Sequence, residues 1–310
     1  MKVWGLHLAV LAALALLGLV LPQYHATNLA RIMVLAVFAM GYNLAFGYAG
    51  LLSLGHALFF AAGMYGAGLP VWHWGWGAAP ALLAGAMAGG LAAVIVGLLA
   101  LRTAGVSFMI VTLMFAKAFA LTILYFNNWT GGDEGFVVPD TGRALFGATL
   151  AADGPRYALA WGLFTVALGL SLLLVRSRFG RVMVALRENE ERARMLGINP
   201  YAAKLQVMGI SGLYSGAAGA AYALLFGYVG GTFADIQYSI LPMLYVLLGG
   251  AGTVLGAGLG AALMFYLTDV ASSVTDAWLF VVGAALVVLV LFAPKGILGW
   301  VRARWWRDLP

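Results

Sequence analysis

Long apolar runs, separated by short clusters of charge, are the feature that most constrains this chain. Of its 310 residues, 64% are hydrophobic and only 9% are charged, whereas a soluble domain is typically about 25% charged. A membrane crossing needs about 20 predominantly apolar residues, and runs of this length recur along the sequence. The pattern excludes a water-soluble globule. It predicts an all-α, polytopic helical bundle that forms a single transmembrane domain over residues 1–310.

The boundaries set by charge, glycine, proline and aromatic residues predict about ten crossings. They lie at 3–21, 27–47, 51–72, 78–101, 104–127, 156–176, 204–229, 232–250, 253–270 and 277–294. Two of them have a broken or re-entrant helix as an alternative, because Gly41 to Leu69 is rich in glycine and Pro242 interrupts 232–250. Non-helical backbone at membrane depth must be satisfied by protein or water. These places are therefore candidates for a transport route, with close helix packing by glycine as the other explanation.

The basic residues predict the orientation of the bundle. Arg176 to Lys204 contains ten charged residues, seven of them basic, and the tail from Lys295 contains four more basic residues. Loops rich in Lys and Arg usually face the cytoplasm. Four predicted crossings separate the two stretches, which is consistent with both being inside. We therefore predict cytoplasmic termini, a cytoplasmic loop at 177–203 and an extracytoplasmic loop at 128–155.

Catalytic and metal-binding motifs are absent from the sequence. It has no cysteine and four histidines, and it lacks the HExxH, GxSxG and GxxxxGK[ST] patterns. We predict no catalytic residues, no cofactor and no metal site, so any ATP used by the protein must be hydrolysed on another subunit. The net charge of +6 is typical of a membrane protein with basic cytoplasmic loops. Membrane lipid, and not nucleic acid, is the predicted surrounding.

The cytoplasmic loop contains a charged segment, Val182 to Leu196, for which we predict one short helix ended by Gly197 and Pro200. Opposite charges stand four residues apart in three pairs, Arg187/Glu191, Glu188/Arg192 and Glu190/Arg194. Such a helix could present side chains to a soluble partner and transmit its motion to the adjacent crossings. A solvated connector is the alternative interpretation.

Four segments, in matching order between about residues 40 and 300, together resemble one family. They are Tyr42 to Phe59; Thr130-Gly-Gly-Asp-Glu-Gly135; the loop motifs Arg178-Phe-Gly-Arg181, Ala185-x-Arg-Glu-Asn-Glu190, Glu191-Arg-Ala193-x-x-x-Gly197 and Gly197-Ile-Asn199; and Leu248 to Gly256 with Pro294 to Gly299. This combination resembles the branched-chain amino-acid permeases of ABC importers.

The resemblance implies a transmembrane permease subunit that forms half of a translocation path in a bacterial plasma (inner) membrane. A second homologous permease, two ATPase subunits and a soluble substrate-binding protein would complete the importer. The implied substrate is a branched-chain or related small amino acid, with urea, an amide, or an aromatic or other organic acid as alternatives. A secondary transporter is the alternative of a different class, but no acidic residue lies in mid-crossing to support it. The implied ATPase-coupling residues are Gly180, Arg181, Arg187, Glu188, Glu191, Ala193 and Gly197.

Lys117 is the one charge in the middle of a predicted crossing, at a position where the family usually has an acidic residue. The other isolated charges lie near predicted segment ends, at Lys2, Arg31, Arg102, Asp235, Asp269 and Asp276. A lone ammonium at this depth is costly. Either Lys117 faces the path and favours a substrate carboxylate, or it pairs with an acid of the second permease or snorkels to the interface. The reversed charge also makes an organic anion a more plausible substrate.

Further polar residues in apolar runs give a candidate substrate path, for which helix-to-helix hydrogen bonding is the alternative role. The candidate path residues are Asn43, Ser53, His56, Thr112 and Lys117.

Overall fold

A computed structural model describes residues 2–145, 147–277, 280–281, 283–284, 287 and 296–304. The helices are α1 (Lys2–Val20), α2 (Gln23–Asn43), α3 (His56–Trp74), α4 (Ala78–Ala100), α5 (Val106–Tyr125), α6 (Asn127–Thr130), α7 (Asp153–Arg176), α8 (Arg178–Glu188), α9 (Glu190–Met195), α10 (Pro200–Phe226), α11 (Gln237–Gly249), α12 (Val254–Val274) and α13 (Gly296–Arg304). The short strands are β1 (Phe136–Val137), β2 (Ala144–Leu145), β3 (Ala148–Thr149) and β4 (Tyr228–Val229).

The predicted crossings coincide with helices throughout the described part of the chain. Every predicted crossing before residue 277 overlaps a helix, and the one at 277–294 lies almost entirely outside the described residues. Within the described residues, 6 helices are long and apolar enough to cross a membrane. The prediction of a multi-pass helical membrane protein is confirmed. The count of about ten crossings and the cytoplasmic termini stay predictions.

Helix α2 begins four residues earlier than the sequence analysis predicts. Pro22 precedes it with φ −56°, a backbone angle already suited to a helix start. Arg31 therefore lies eight residues, or about 12 Å, inside the helix. The expectation that Arg31 lies near a segment end was wrong, because the preceding polar residues Gln23 to Asn28 belong to the helix.

The helical bundle is interrupted at two buried places. Helix α2 continues into a π-helical turn, Leu44–Tyr48, and the chain is then non-helical until α3 begins at His56. The second break, at 227–236, contains β4 and a single 3₁₀ turn before α11. The glycine-rich region is thus a broken helix, which was one of the alternatives that the sequence left open for Gly41 to Leu69. Pro242 lies inside α11, so the second break precedes the position that the sequence indicated.

Arg143 fixes the loop at 128–155 to the end of α10. Its Nε donates to the Leu224 carbonyl at 2.6 Å and its Nη2 to the Leu225 carbonyl at 2.8 Å. Its Nη1 donates to Asp140 at 2.8 Å. Burial lowers the pKa of Arg143 and Asp140 opposes that shift, and the guanidinium stays charged. The cation thereby satisfies carbonyls that the helix end leaves unpaired, while β1 pairs with β4 beside it.

The loop at 177–203 forms two helices instead of the single predicted one. Asn189 has extended backbone between α8 and α9 (φ −162°), and its side chain caps α9 by accepting from the Arg192 backbone N–H at 2.9 Å. The break separates two of the predicted i,i+4 pairs, and only Glu190–Arg194 forms, at 3.6 Å. Gly197, at φ +82°, ends the second helix as predicted.

Helix α10 packs against α3 and α4 through glycines. A Cβ at Gly216 would lie 2.8 Å from the Gly85 carbonyl oxygen and from the Gly89 Cα. Such distances require the two backbones themselves to be in contact. Small residues permit this close approach in membrane bundles.

We expect Gly216→Ala to destabilise the protein by about 1–3 kcal/mol, the range for overpacking, because the added methyl group would meet the backbone of α4. Gly162 on α7 is a matched control, since nothing lies within 4 Å of a Cβ placed there. Gly162→Ala should be neutral or slightly stabilising. Thermal unfolding in detergent measures both, and equal melting temperatures for the two variants would contradict the packing argument.

Candidate functional site

Asn43 joins the end of α2 to the turn between α11 and α12. Its Nδ2 donates to the Thr253 carbonyl at 2.9 Å, and its Oδ1 accepts from the Gly252 backbone N–H at 3.0 Å. The side chain is 2% exposed. A buried amide that donates one hydrogen bond to a turn and accepts another from it fixes that turn. If the turn moved away, the amide would be left with an unpaired donor and an unpaired acceptor.

Arg187, on α8, reaches the same place from the loop at 177–203. Its Nη1 donates to the Gly47 carbonyl in the π-helical turn. Its side chain also packs on Gly50, where an added Cβ would lie 3.2 Å from Arg187 Cγ, and it approaches Gly252 as closely. Arg187 and Asn43 thus connect α8, the broken α2 and the α11–α12 turn, and we call these residues with Gly47 and Gly252 the hub.

The non-helical segment after the π turn is held by hydroxyl groups from three sides. Thr112 on α5 accepts from the Leu54 backbone N–H at 3.1 Å. Ser53 accepts from the Gly55 N–H at 3.1 Å, and Ser239 on α11 accepts from the Ala57 N–H at 3.0 Å. The Ala57 bond satisfies a donor in the first turn of α3 that has no partner within the helix. These hydroxyls substitute for the helix that the glycine-rich segment does not form.

His56 is fully buried and joins three helices through Ser211. The Ser211 hydroxyl donates to the Gly41 carbonyl at 2.7 Å and contacts His56 Nε2 at 2.8 Å. Since a carbonyl can only accept, the hydroxyl proton is used there, and His56 Nε2 must donate. His56 Nδ1 then has no proton and no partner among the described residues. The arrangement makes His56 a structural link from α3 to α2 and α10.

Lys117 forms an ion pair with Asp235 of the same chain. An acid of the second permease was one of the alternatives open for Lys117, but the break at 227–236 brings Asp235 of this chain against α5. Both side chains are about half exposed, at 47% and 49%. An ion pair open to its surroundings on a membrane helix is unsuited to lipid. We therefore expect this face of α5 to contact water or another protein surface and not lipid.

The predicted coupling residues lie on both helices of the loop and at Gly197, and they differ in burial. Ala193 is buried against Leu186 and Ala203, and the Gly180 N–H bonds to the Ser177 cap at 3.3 Å. The exposed members of the set are Arg181, Arg187, Glu188, Glu191 and Gly197. A groove of about 410 Å³ separates α8 from the start of α5 and the segment at 49–52.

Arg31, expected near a segment end, lies instead inside α2, a helix long and apolar enough to cross a membrane. Its guanidinium lies 4.8 Å from the Phe226 ring centroid, and its Nε is buried without a hydrogen-bond partner among the described residues. Arginine at the centre of a membrane helix costs about 2.5–3.5 kcal/mol on insertion scales, whereas a cation–π contact returns about 0.5–2 kcal/mol. The sequence indicated a segment end here because the largely polar residues Gln23 to Asn28 precede the apolar run, but the structure includes these residues in α2.

The breaks, the hub and the charged loop define a class, a multi-pass helical permease. A model of the branched-chain amino acid transport system permease component matches residues 25–291. The chain belongs to that family, and it is a permease component of an ABC-type transporter. No solved structure matches the chain.

Several curated permeases are similar to the chain. The high-affinity branched-chain amino acid permease LivM of Escherichia coli is 29% identical over 293 residues, covering 87% of this chain and 69% of that protein. LivM of Salmonella typhimurium is 27% identical with the same coverage. LsrC of Klebsiella pneumoniae, a permease of an autoinducer 2 import system, is 31% identical over 46% of this chain and 41% of its own length.

We expect Asn43→Leu to lower stability by about 1–3 kcal/mol, the cost of leaving a buried donor and acceptor unpaired. Asn128→Leu is the matched control, because Asn128 is exposed. The measurement is the melting temperature of the purified chain in detergent. An Asn43→Leu variant that melts with the control would show that the amide clamp does not hold the turn.

Proposed function

We propose that this chain is the permease subunit of an ABC importer for small amino acids and forms half of the translocation path. A second homologous permease would supply the other half, two ATPase subunits the energy and a soluble binding protein the substrate. By this proposal the loop at 177–203 faces the cytoplasm of a bacterial cell and both termini lie on the same side. The observation that carries the proposal is the contact of that loop, through Arg187, with the π-helical turn at Gly47 and with Gly252 in the α11–α12 turn.

The surface of the two-helix loop supports docking of an ATPase. Met195 is 83% exposed and Leu196 is 78% exposed, beside the exposed charges Glu188 and Glu191. Neighbouring exposed apolar groups ringed by charge are typical of a protein interface. The buried Ala193 holds this surface on the membrane domain, so force applied to the loop would reach α10.

Arg187 would transmit the force applied to the loop to the translocation path. When the ATPases move α8, Arg187 would pull on the Gly47 carbonyl, and Asn43 would pass the displacement to the α11–α12 turn. The two breaks are where the bundle can change shape at least cost, because no continuous helix resists bending there. We propose that Ser53, His56 and Thr112 hold the path wall, and that Lys117 with Asp235 faces the path.

The ion pair bears on the substrate class. A lone Lys117 would favour an anion, but Asp235 neutralises it. The pair presents one positive and one negative group, which matches the ammonium and carboxylate of an amino acid better than the single charge of an organic anion. A small amino acid is therefore favoured as the transported substrate over urea, amides and organic acids.

We expect the double variant Glu191→Lys with Gly197→Asp to abolish co-purification of ATPase subunits with the detergent-solubilised chain. The charge reversal alters the exposed face, and Asp at position 197 is strained at φ +82°. The matched control is Glu134→Lys in the extracytoplasmic loop, which should retain the ATPase. If no ATPase accompanies the wild-type chain, the importer proposal fails and the secondary-transporter alternative returns.

We expect Lys117→Met to reduce import at least tenfold, because it removes one pole of the pair and leaves Asp235 unpaired at membrane depth. The double variant Lys117→Asp with Asp235→Lys restores an ion pair and should recover the melting temperature. Uptake by proteoliposomes and melting of the same preparations separate the two effects. Wild-type uptake by an assembled Lys117→Met importer would remove Lys117 from the path.

A further inference from the structure

Arg31 makes no hydrogen bond and no ion pair with any residue that the structure describes. Asp308 is the one acidic residue outside the described part. Arg143 provides the contrast, since its Nε, Nη1 and Nη2 all donate. The donors of Arg31, at membrane depth, are without acceptors in the described part of the chain.

Two tyrosines stand beside this cation. Tyr222 on α10 contacts Phe226, the ring on which Arg31 lies, and Tyr238 on α11 packs with Tyr222 against Phe233. Neither hydroxyl has a hydrogen-bond partner among the described residues, and both side chains are only partly buried. Each hydroxyl is therefore a donor that an incoming anion could use together with the guanidinium.

Aromatic rings line the rest of this neighbourhood. Phe233 lies 5.2 Å from the Tyr222 ring and 4.8 Å from the Tyr238 ring, measured between centroids. Phe226 contacts both Tyr222, at 4.7 Å, and Arg31. The guanidinium and the two hydroxyl groups thus lie among aromatic rings, at the break between α10 and α11. Sites for small amphiphilic ligands combine these two features.

We propose that Arg31, Tyr222 and Tyr238 form a subsite for the carboxylate of an amino acid with an apolar side chain, which lies against Phe226 and Phe233. The inference rests on the proposed import function, since it makes the ligand the transported solute. The subsite is a second point of contact for the solute, apart from the Lys117–Asp235 pair that is proposed above to face the path. Arg31 is the cation with no compensating charge in the described part of the bundle, and a carboxylate matches its planar fork.

The test is direct binding to the purified permease with its co-purifying partners, in nanodiscs and without ATP. The probes are L-leucine, 4-methylpentanoate, which has the carboxylate but no amine, and L-leucinamide, which has the amine but no carboxylate. For the wild type we expect both acids to bind. For Arg31→Met we expect both acids to lose at least tenfold in affinity, with leucinamide unchanged.

Matched variants separate recognition from folding. Arg102→Met removes an exposed cation and should bind the acids like the wild type. Tyr222→Phe and Tyr238→Phe should each weaken acid binding a few-fold. Tyr65→Phe should not weaken it, because Tyr65 is likewise unpaired and buried but has no contact with Arg31 among the described residues. Arg31→Lys keeps the charge and should recover part of the acid affinity.

Three results would overturn the subsite. The first is a wild-type permease that binds neither acid, and the second is an Arg31→Met variant that loses leucinamide as strongly as leucine. The third is an Arg31→Met variant that binds acids normally but no longer assembles with the second permease, which would assign Arg31 to an acid of that partner. Co-purification of the ATPase with the same preparations reports on the importer proposal separately. A failed subsite with a retained ATPase therefore leaves the proposed function standing.

Discussion

The satisfaction of backbone polar groups without water is the constraint on which the rest of this structure depends. A continuous helix meets it internally, and this chain departs from continuous helix at 49–55, at 227–236 and at the α11–α12 turn. Each departure is met by specific side chains. Hydroxyls hold the first, Arg143 closes the helix end at the second, and Asn43 clamps the third. Unpaired groups at these places would cost several kcal/mol each in a bilayer.

The same side chains make the breaks mechanically connected. Asn43 and Arg187 converge on Gly47 and Gly252, so the α8–α9 loop and two irregular segments share one set of hydrogen bonds. Glycine is needed here for a steric reason, because an added Cβ at Gly47 or Gly252 would meet the clamping side chains. A break that is satisfied by long-range contacts can move as a unit when one contact is displaced. Breaks filled by water would not transmit displacement in this way.

Apolar run length and charge position were enough to predict the helical membrane fold, the charged loop and the broken glycine-rich segment. What they could not predict were the contacts between segments distant in sequence. Asp235 and Lys117 are 118 residues apart, and nothing in either run indicates that a break places them together. The interruption at Asn189 was missed because i,i+4 charge pairing suggested one helix, while the capping preference of Asn favoured two. For Arg31 the error was a boundary, since a helix begun at residue 27 leaves the arginine near its end.

The cations of the described residues differ in whether a carboxylate compensates their charge. Arg143, Arg156 and Lys204 are each paired with a carboxylate at a loop or helix end, and Lys117 is paired within the bundle. Arg31 alone among the described intramembrane cations meets only a ring face. A soluble loop could tolerate such a residue through hydration, but a membrane helix offers no such solvent. An unpaired guanidinium in this position is costly unless an anionic or polar group compensates it, which is the physical ground for the proposed carboxylate subsite.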